Sequence, residues 1–117
     1  AVTGFCLGGA VTLSAAFQVE GLSAALPFYG NPRADLVDFS RKTPPIQGHF
    51  ASRDTFVDAA RTRSIADGVN AAGGSFELFV YEANHAFMRV GDEAAYDAPS
   101  AELAWSRAIP FLHAHLD

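Results

Sequence analysis

Apolar and polar positions alternate along this chain in blocks of two lengths. Ala1 to Phe5 is a short apolar run that reads as a strand. Gly9 to Val19 then carries Val11, Leu13, Ala16 and Phe17 at helical spacing, and Gly21 ends that helix. Leu22 to Tyr29 reads as a buried strand closed by Gly30-Asn31-Pro32, a turn signal. Arg33 to Lys42 is polar and irregular, with room for one short helical turn. Thr43-Pro44-Pro45 leads into a third strand, Ile46 to Phe50, followed by the loop Ala51 to Thr55. From Phe56 to Ala72 the positions Val57, Ala60, Ile65, Val69 and Ala72 recur at helical spacing, and Gly73-Gly74 marks the stop. Ser75 to Tyr81 is the fourth strand.

After the loop Glu82 to Asp97 comes a last helix, with Pro99 in its first turn. Ala101, Trp105, Ala108, Ile109, Leu112 and Leu116 share one face of it. Pro110 is expected to kink it. Strands alternating with helices imply parallel pairing through right-handed crossovers. The expected class is therefore α/β: a parallel sheet of about four strands between flanking helices, a three-layer sandwich.

Composition narrows the function classes. The chain has 117 residues, half of them hydrophobic, and reads as a single domain, 1–117, with a core of its own. A formal charge of −5 with only one lysine, Lys42, argues against a nucleic-acid partner, which requires clustered cations. No apolar run has the length of a membrane span. One cysteine cannot form an internal disulfide, so the cytoplasm is the expected compartment. His113 and His115 point to different faces of a helix, a poor metal pair, and no metal or cofactor is expected.

The chemistry centres on Gly4-Phe5-Cys6-Leu7-Gly8-Gly9, where the only cysteine stands between glycines as a strand gives way to a helix. This is the sequence form of a nucleophile elbow, a turn that lifts one side chain out of the backbone path. Gly4 and Gly8 are expected to supply the missing side chains that such crowding demands. In a parallel sheet the loops after the strands all open on one edge, where α/β folds bind ligands. Cys6, Asp54 and His85 follow the first, third and fourth strands. Their order, nucleophile then acid then histidine, is that of α/β-hydrolase triads.

Each residue has a competing reading. A lone cysteine is commonly an inert core residue. Asp54 is also a candidate N-cap for a helix beginning near Val57, and Asp58, inside the helical pattern, is its rival as the acid. His49, near the end of the third strand, competes with His85. The phenylalanines, Phe28 among them, are read as core.

These segments resemble the dienelactone hydrolases of the α/β-hydrolase superfamily. Gly4-Phe5-Cys6-Leu7-Gly8-Gly9 is similar to their elbow, which carries cysteine in place of serine, and Tyr29-Gly30 to the pair that ends their next strand. Asp54-Thr55-Phe56-Val57 resembles the acid-bearing segment, and Glu82-Ala83-Asn84-His85-Ala86-Phe87 the histidine-bearing one. The resemblance implies Cys6 as nucleophile, His85 as base and Asp54 as orienting acid. It also implies that Arg89 contacts a substrate carboxylate. Family members carry roughly as much chain again before the elbow, with a second oxyanion donor. The resemblance therefore implies the C-terminal half of the fold, and a first strand whose free edge is covered by another chain, a second copy or a missing segment.

Physically, a thiol at a helix N-terminus beside an imidazole is expected to favour its anion. Its attack on an ester or lactone carbonyl gives an oxyanion held by the backbone N–H of Leu7, and collapse leaves a thioester for water to cleave. The expected activity is hydrolysis of a small ester or lactone. The alternative is a non-catalytic domain that associates through its free sheet edge.

Overall fold

The computed structural model describes residues 1–117. Four strands, β1 (Val2–Phe5), β2 (Ala25–Phe28), β3 (Ile46–Ala51) and β4 (Phe76–Tyr81), form one sheet in the order β1-β2-β3-β4. Every neighbouring pair is parallel, with Phe5 opposite Phe28 and Ala51 opposite Tyr81 at the C-terminal ends. Helix α1 (Leu7–Gln18) links β1 to β2, α2 (Ala59–Ala71) links β3 to β4, and α3 (Ala98–Leu116) closes the chain. The irregular stretch between β2 and β3 contains one short turn of 3-10 helix, Ala34–Leu36, as its polarity suggests.

The period-two alternation of the strands sorts their side chains into two cores. On one face Ala25, Ile46 and Phe76 pack with Leu13 and Phe17 of α1 and Ile65 and Val69 of α2. On the other, Leu26, Phe28, Ala51 and Tyr81 pack with Phe87 and with Ala101, Ala104 and Ala108 of α3. The result is the three-layer α/β arrangement expected from the sequence.

Several boundaries differ from the sequence pattern. Helix α1 starts at Leu7, directly after Cys6, and β2 is confined to Ala25–Phe28. Helix α2 starts at Ala59 because Asp58 is its N-cap and accepts from the Ala60 N–H at 2.9 Å. Helix α3 runs on through Pro110, and its buried stripe is the alanines, so Trp105, Ile109 and Leu116 remain about half exposed. Small residues let that helix lie close to the sheet, which turns its larger apolar groups outward.

Crowding at the elbow involves a different glycine from the one anticipated. A Cβ on Gly4 would lie 2.4 Å from the Gly8 carbonyl oxygen, and one on Gly9 2.1 Å from that of Phe28. A Cβ on Gly8 would meet nothing within 4 Å. It is therefore Gly9 that lets α1 sit against β2. Gly9→Ala is expected to lower stability by about 1–3 kcal/mol, since backbone must shift to admit the methyl. Gly8→Ala should leave it unchanged or slightly raised. Urea unfolding of the two variants checks this, and equal losses would contradict it.

On the α3 face a polar chain crosses the apolar core. Gln47 donates to Glu77 Oε1 at 2.7 Å and accepts from His49 Nε2 at 2.8 Å. His49 Nδ1 in turn lies 2.8 Å from the Tyr81 hydroxyl, and Arg107 donates to that oxygen at 3.1 Å. Because Gln47 presents its carbonyl oxygen, Nε2 carries the proton and Nδ1 accepts from Tyr81. His49 is fully buried, and its ring stacks on Phe28 at 4.9 Å between centroids. Burial first, and the Arg107 guanidinium second, push its pKa down to about 3.

The folded chain thus holds His49 neutral while the unfolded chain protonates it below about pH 6.5. The stability this contributes is complete above the unfolded value and is lost as the pH falls toward the folded value. Unfolding free energy is expected to drop by up to about 1.4 kcal/mol per pH unit below pH 6.5 from this group. His49→Gln should flatten that dependence; an equal slope in both proteins would contradict the assignment.

Candidate active site

The site forms at the C-terminal edge of the sheet. Cys6 is the N-cap of α1 and adopts φ 56° and ψ −119°, in a region that non-glycine residues enter only under constraint. The constraint comes from both sides. Cys6 N–H donates to the Phe28 carbonyl at 3.2 Å, and a Cβ on Gly30 would lie 2.2 Å from the Cys6 carbonyl oxygen. The first intrahelical bond of α1 runs from Ala10 N–H to Cys6 O at 3.1 Å. The N–H groups of Leu7, Gly8 and Gly9 therefore have no intrahelical acceptor, and no side chain caps them.

Asp54 and His85 are brought together by the two loops that carry them. Ser52 N–H donates to the Tyr81 carbonyl at 2.8 Å, and Arg53 N–H to the Ala83 carbonyl at 3.1 Å, so the loops after β3 and β4 continue the sheet pairing. Asp54 Oδ2 then lies 2.6 Å from His85 Nδ1. Its other oxygen accepts from the Phe56 and Val57 N–H groups at 2.7 and 2.9 Å, and its side chain is 1% exposed. Asp54 is therefore locked in a local turn while also holding the imidazole. Asp58, its rival in the sequence, is occupied at the exposed helix cap. His49, the rival of His85, is sealed in the core.

Because a carboxylate only accepts, Nδ1 of His85 is the protonated nitrogen and Nε2 is left to act on other groups. His85 and Cys6 line the same cavity of about 330 Å³, together with Leu7, Tyr29, Phe56 and Arg61. The thiol is not hydrogen-bonded to the imidazole. On the other side of Cys6 a second cavity of about 340 Å³ is bounded by Phe5, Tyr29, Met88, Arg89 and Trp105. Cys6 and Tyr29 belong to both walls and divide the two spaces.

Electrostatics correct one expectation. Burial pushes the Cys6 thiol up from its ordinary value, the Arg89 guanidinium pulls it partly back, and Asp54 adds to the rise. The resting side chain is thus the neutral thiol, despite its place at a helix N-terminus. Tyr29 is also pushed up, first by burial and then by the nearby Cys6. Its ring meets the edge of His85 at 5.1 Å between centroids, and it holds a φ of 34°.

The family model described as "Dienelactone hydrolase family" matches residues 1–116. The chain belongs to the dienelactone hydrolase family. A relative from Aquifex pyrophilus called "Protein usf" is 33% identical over 117 residues, which is 98% of this chain and 51% of the relative. The "Putative carboxymethylenebutenolidase" of Aquifex aeolicus is 32% identical over 98% of this chain and 51% of its own length. Among solved structures, the "Putative Dienelactone Hydrolase" from Klebsiella pneumoniae superposes with a TM-score of 0.81 at 29% identity, covering 95% of this chain and 50% of that one. The chain spans about half the length of these curated relatives. It thus has the α/β fold of a family of hydrolases, and no helix in it is long and apolar enough to cross a membrane.

Sequence reasoning missed three residues that line the cavities. Phe56 is 82% exposed yet covers His85 at 5.1 Å between ring centroids, Trp105 was assigned to a packing face, and Arg61 carried no signal in the sequence. Only the proximity of Phe56 to Asp54 in sequence was a usable signal. The raised thiol yields a direct expectation: iodoacetamide labelling of Cys6 should be slow at neutral pH and accelerate only above the ordinary thiol range. Arg89→Gln should move that rise further up, because the guanidinium favours the anion. Fast labelling at pH 6 would contradict the burial argument.

Proposed function

We propose that this chain is the catalytic part of an ester or lactone hydrolase that works through Cys6, His85 and Asp54. The observation that carries the reading is the strained turn at Cys6, which opens on the same cavity as an imidazole fixed by a buried carboxylate. Strain of this kind persists only where the surroundings enforce it, and it clusters at functional sites.

In this mechanism Nε2 of His85 takes the proton of the neutral thiol as sulfur bonds to the substrate carbonyl carbon. The imidazolium that results is stabilised by Asp54, which also keeps the ring in the required tautomer. The carbonyl electrons move onto oxygen, and the uncapped Leu7 N–H at the start of α1 donates to that oxyanion. On collapse the carbon–oxygen bond to the alcohol breaks, and the imidazolium returns its proton to the leaving oxygen. A thioester remains on Cys6. Water then gives a proton to His85 and attacks the thioester carbonyl, and the acid leaves as the proton returns to sulfur. Arg89, on the wall opposite His85, is the cation for a carboxylate on the acyl portion. No step needs a metal or an organic cofactor.

A second reading rests on the sheet edge. Strand β1 is paired only with β2, and Phe5, Leu7 and Val11 beside it are 40%, 79% and 59% exposed. Such an edge suits association with a second copy or with a separate strand-bearing chain. In that reading the domain is a non-catalytic, partner-binding module.

Hydrolysis of an aryl ester by the chain should fall by at least about a thousandfold in Cys6→Ala, and by about a hundredfold or more in Asp54→Asn. An acyl adduct on Cys6 should be visible by intact mass after rapid quenching. Activity that survives Cys6→Ala unchanged would overturn the Cys6 mechanism, and hydrolysis no faster than the spontaneous rate, with a larger species on gel filtration, would favour the association reading instead.

A further inference from the structure

Cys6 and Tyr29 are the residues common to the walls of both cavities, and that shared wall locates the reacting group of a substrate. The leaving oxygen must lie within reach of His85, which protonates it, so the alcohol portion lies on the His85 side. The acyl portion then extends toward Phe5 and Trp105. The scissile carbonyl joins the two portions, so it stands at the crossing between Cys6 and Tyr29.

Tyr29 is held rigidly there. Its ring packs edge-on against Phe28, His85 and Phe87 at 6.2, 5.1 and 5.3 Å between centroids. Its N–H donates to the His49 carbonyl at 2.9 Å, and its backbone is kept at a φ of 34°. Tyr29 is 2% exposed, and what solvent reaches of it opens on the two cavities. The hydroxyl is the one part of this side chain left without an acceptor. The polar backbone group that acts on its oxygen is the Met88 N–H, which can only donate. No side chain or carbonyl of the chain takes the hydroxyl proton, which is free for an acceptor in the cavity space. Burial first, and Cys6 second, raise Tyr29 and keep it a neutral donor at neutral pH.

A fixed donor in a water-poor site, next to the atom where negative charge develops, stabilises a tetrahedral oxyanion. The Leu7 N–H is one such donor, at the uncapped start of α1. We propose that the Tyr29 hydroxyl is the second, and that it contacts the substrate oxygen directly. This rests on the hydrolase reading above and adds to it a side chain that touches the reacting atoms. The phenol keeps its proton throughout. Its hydrogen bond shortens as the carbonyl electrons move onto oxygen and relaxes when they return, so the proton and electron balance of the steps is unchanged.

Tyr29→Phe tests this, because it removes one oxygen and keeps the packed ring. With 4-nitrophenyl acetate, kcat should fall by about a hundredfold while KM changes less than about threefold, since the contact is made mainly in the transition state. The urea midpoint should stay at the wild-type value, because the hydroxyl proton has no acceptor to lose. Alkylation of Cys6 by iodoacetamide develops no oxyanion and should keep its wild-type rate at each pH. A kcat within about threefold of wild type would overturn the proposal. So would alkylation slowed as much as hydrolysis, which would place the action of the hydroxyl on sulfur.

An adduct that needs no turnover keeps this separate from the hydrolase reading. With phenyl trifluoromethyl ketone, the Cys6 sulfur bonds to the carbonyl carbon, the thiol proton passes to His85 and the carbonyl oxygen becomes the oxyanion. Fluorine NMR should show this adduct in the wild type, about tenfold or more weaker in Tyr29→Phe, and missing in Cys6→Ala. If no ester is cleaved and this difference holds, the hydrolase reading fails and the Tyr29 assignment stands. If the adduct is missing from the wild type, or equally strong in Tyr29→Phe, the assignment fails.

Discussion

Backbone packed directly on backbone, where α1 leaves β1 and passes β2, is the constraint on which the rest of the structure depends. Gly4 meets Gly8, Gly9 meets the Phe28 carbonyl and Gly30 meets the Cys6 carbonyl, each at a distance that admits no side chain. Cys6 is forced into a positive φ by this contact. A non-glycine residue there costs on the order of 1–3 kcal/mol, which the surrounding packing must offset. The same geometry ends the strand, starts the helix without a cap and leaves its first N–H groups free. Position, strain and the free N–H groups beside Cys6 are thus three consequences of a single steric arrangement.

The other half of the site is held by a different device. Hydrogen bonds from Ser52 and Arg53 extend the β3–β4 pairing past the strand ends, so two loops move as a continuation of a rigid sheet. Asp54 and His85 gain their separation from that frame and not from their own flexibility. A buried carboxylate with three acceptor contacts is expensive to reorient, which fixes the imidazole without a metal or a second histidine. Burial raises the Cys6 thiol, so the proposed hydrolysis starts from the neutral thiol and moves its proton as sulfur attacks, in contrast to a preformed thiolate.

Polar groups elsewhere in the core serve another purpose. Gln47, His49, Tyr81 and Arg107 satisfy one another across β3, β4 and α3, and no buried side-chain nitrogen or oxygen lacks a partner. Such a chain ties the last helix to the sheet on the face where its stripe consists mainly of alanines. Alanine contacts alone give little directional preference, so the hydrogen bonds specify the seating of α3. That seating places Trp105 against the cavity beside Cys6.

Element type and order were legible in the sequence, because the alternation of short apolar runs with helical periodicity reflects which faces are buried. The elbow was legible too, since a cysteine between glycines at a strand-to-helix junction implies close backbone approach. Asp54 and His85 were readable from their places after successive parallel strands, which open on one edge. What the sequence left undecided lies between elements. It placed the crowding at Gly8 where Gly9 bears it, because which glycine is crowded depends on the height at which α1 passes β2. It mistook Asp58 for an interior helix residue, because capping depends on where the loop releases the chain. It also expected an activated thiolate, since spacing carries no information on burial. The places of Arg61 and Trp105 on the cavity walls were beyond it for the same reason: a cavity wall is made by residues distant in sequence, and only packing determines which of their side chains face it.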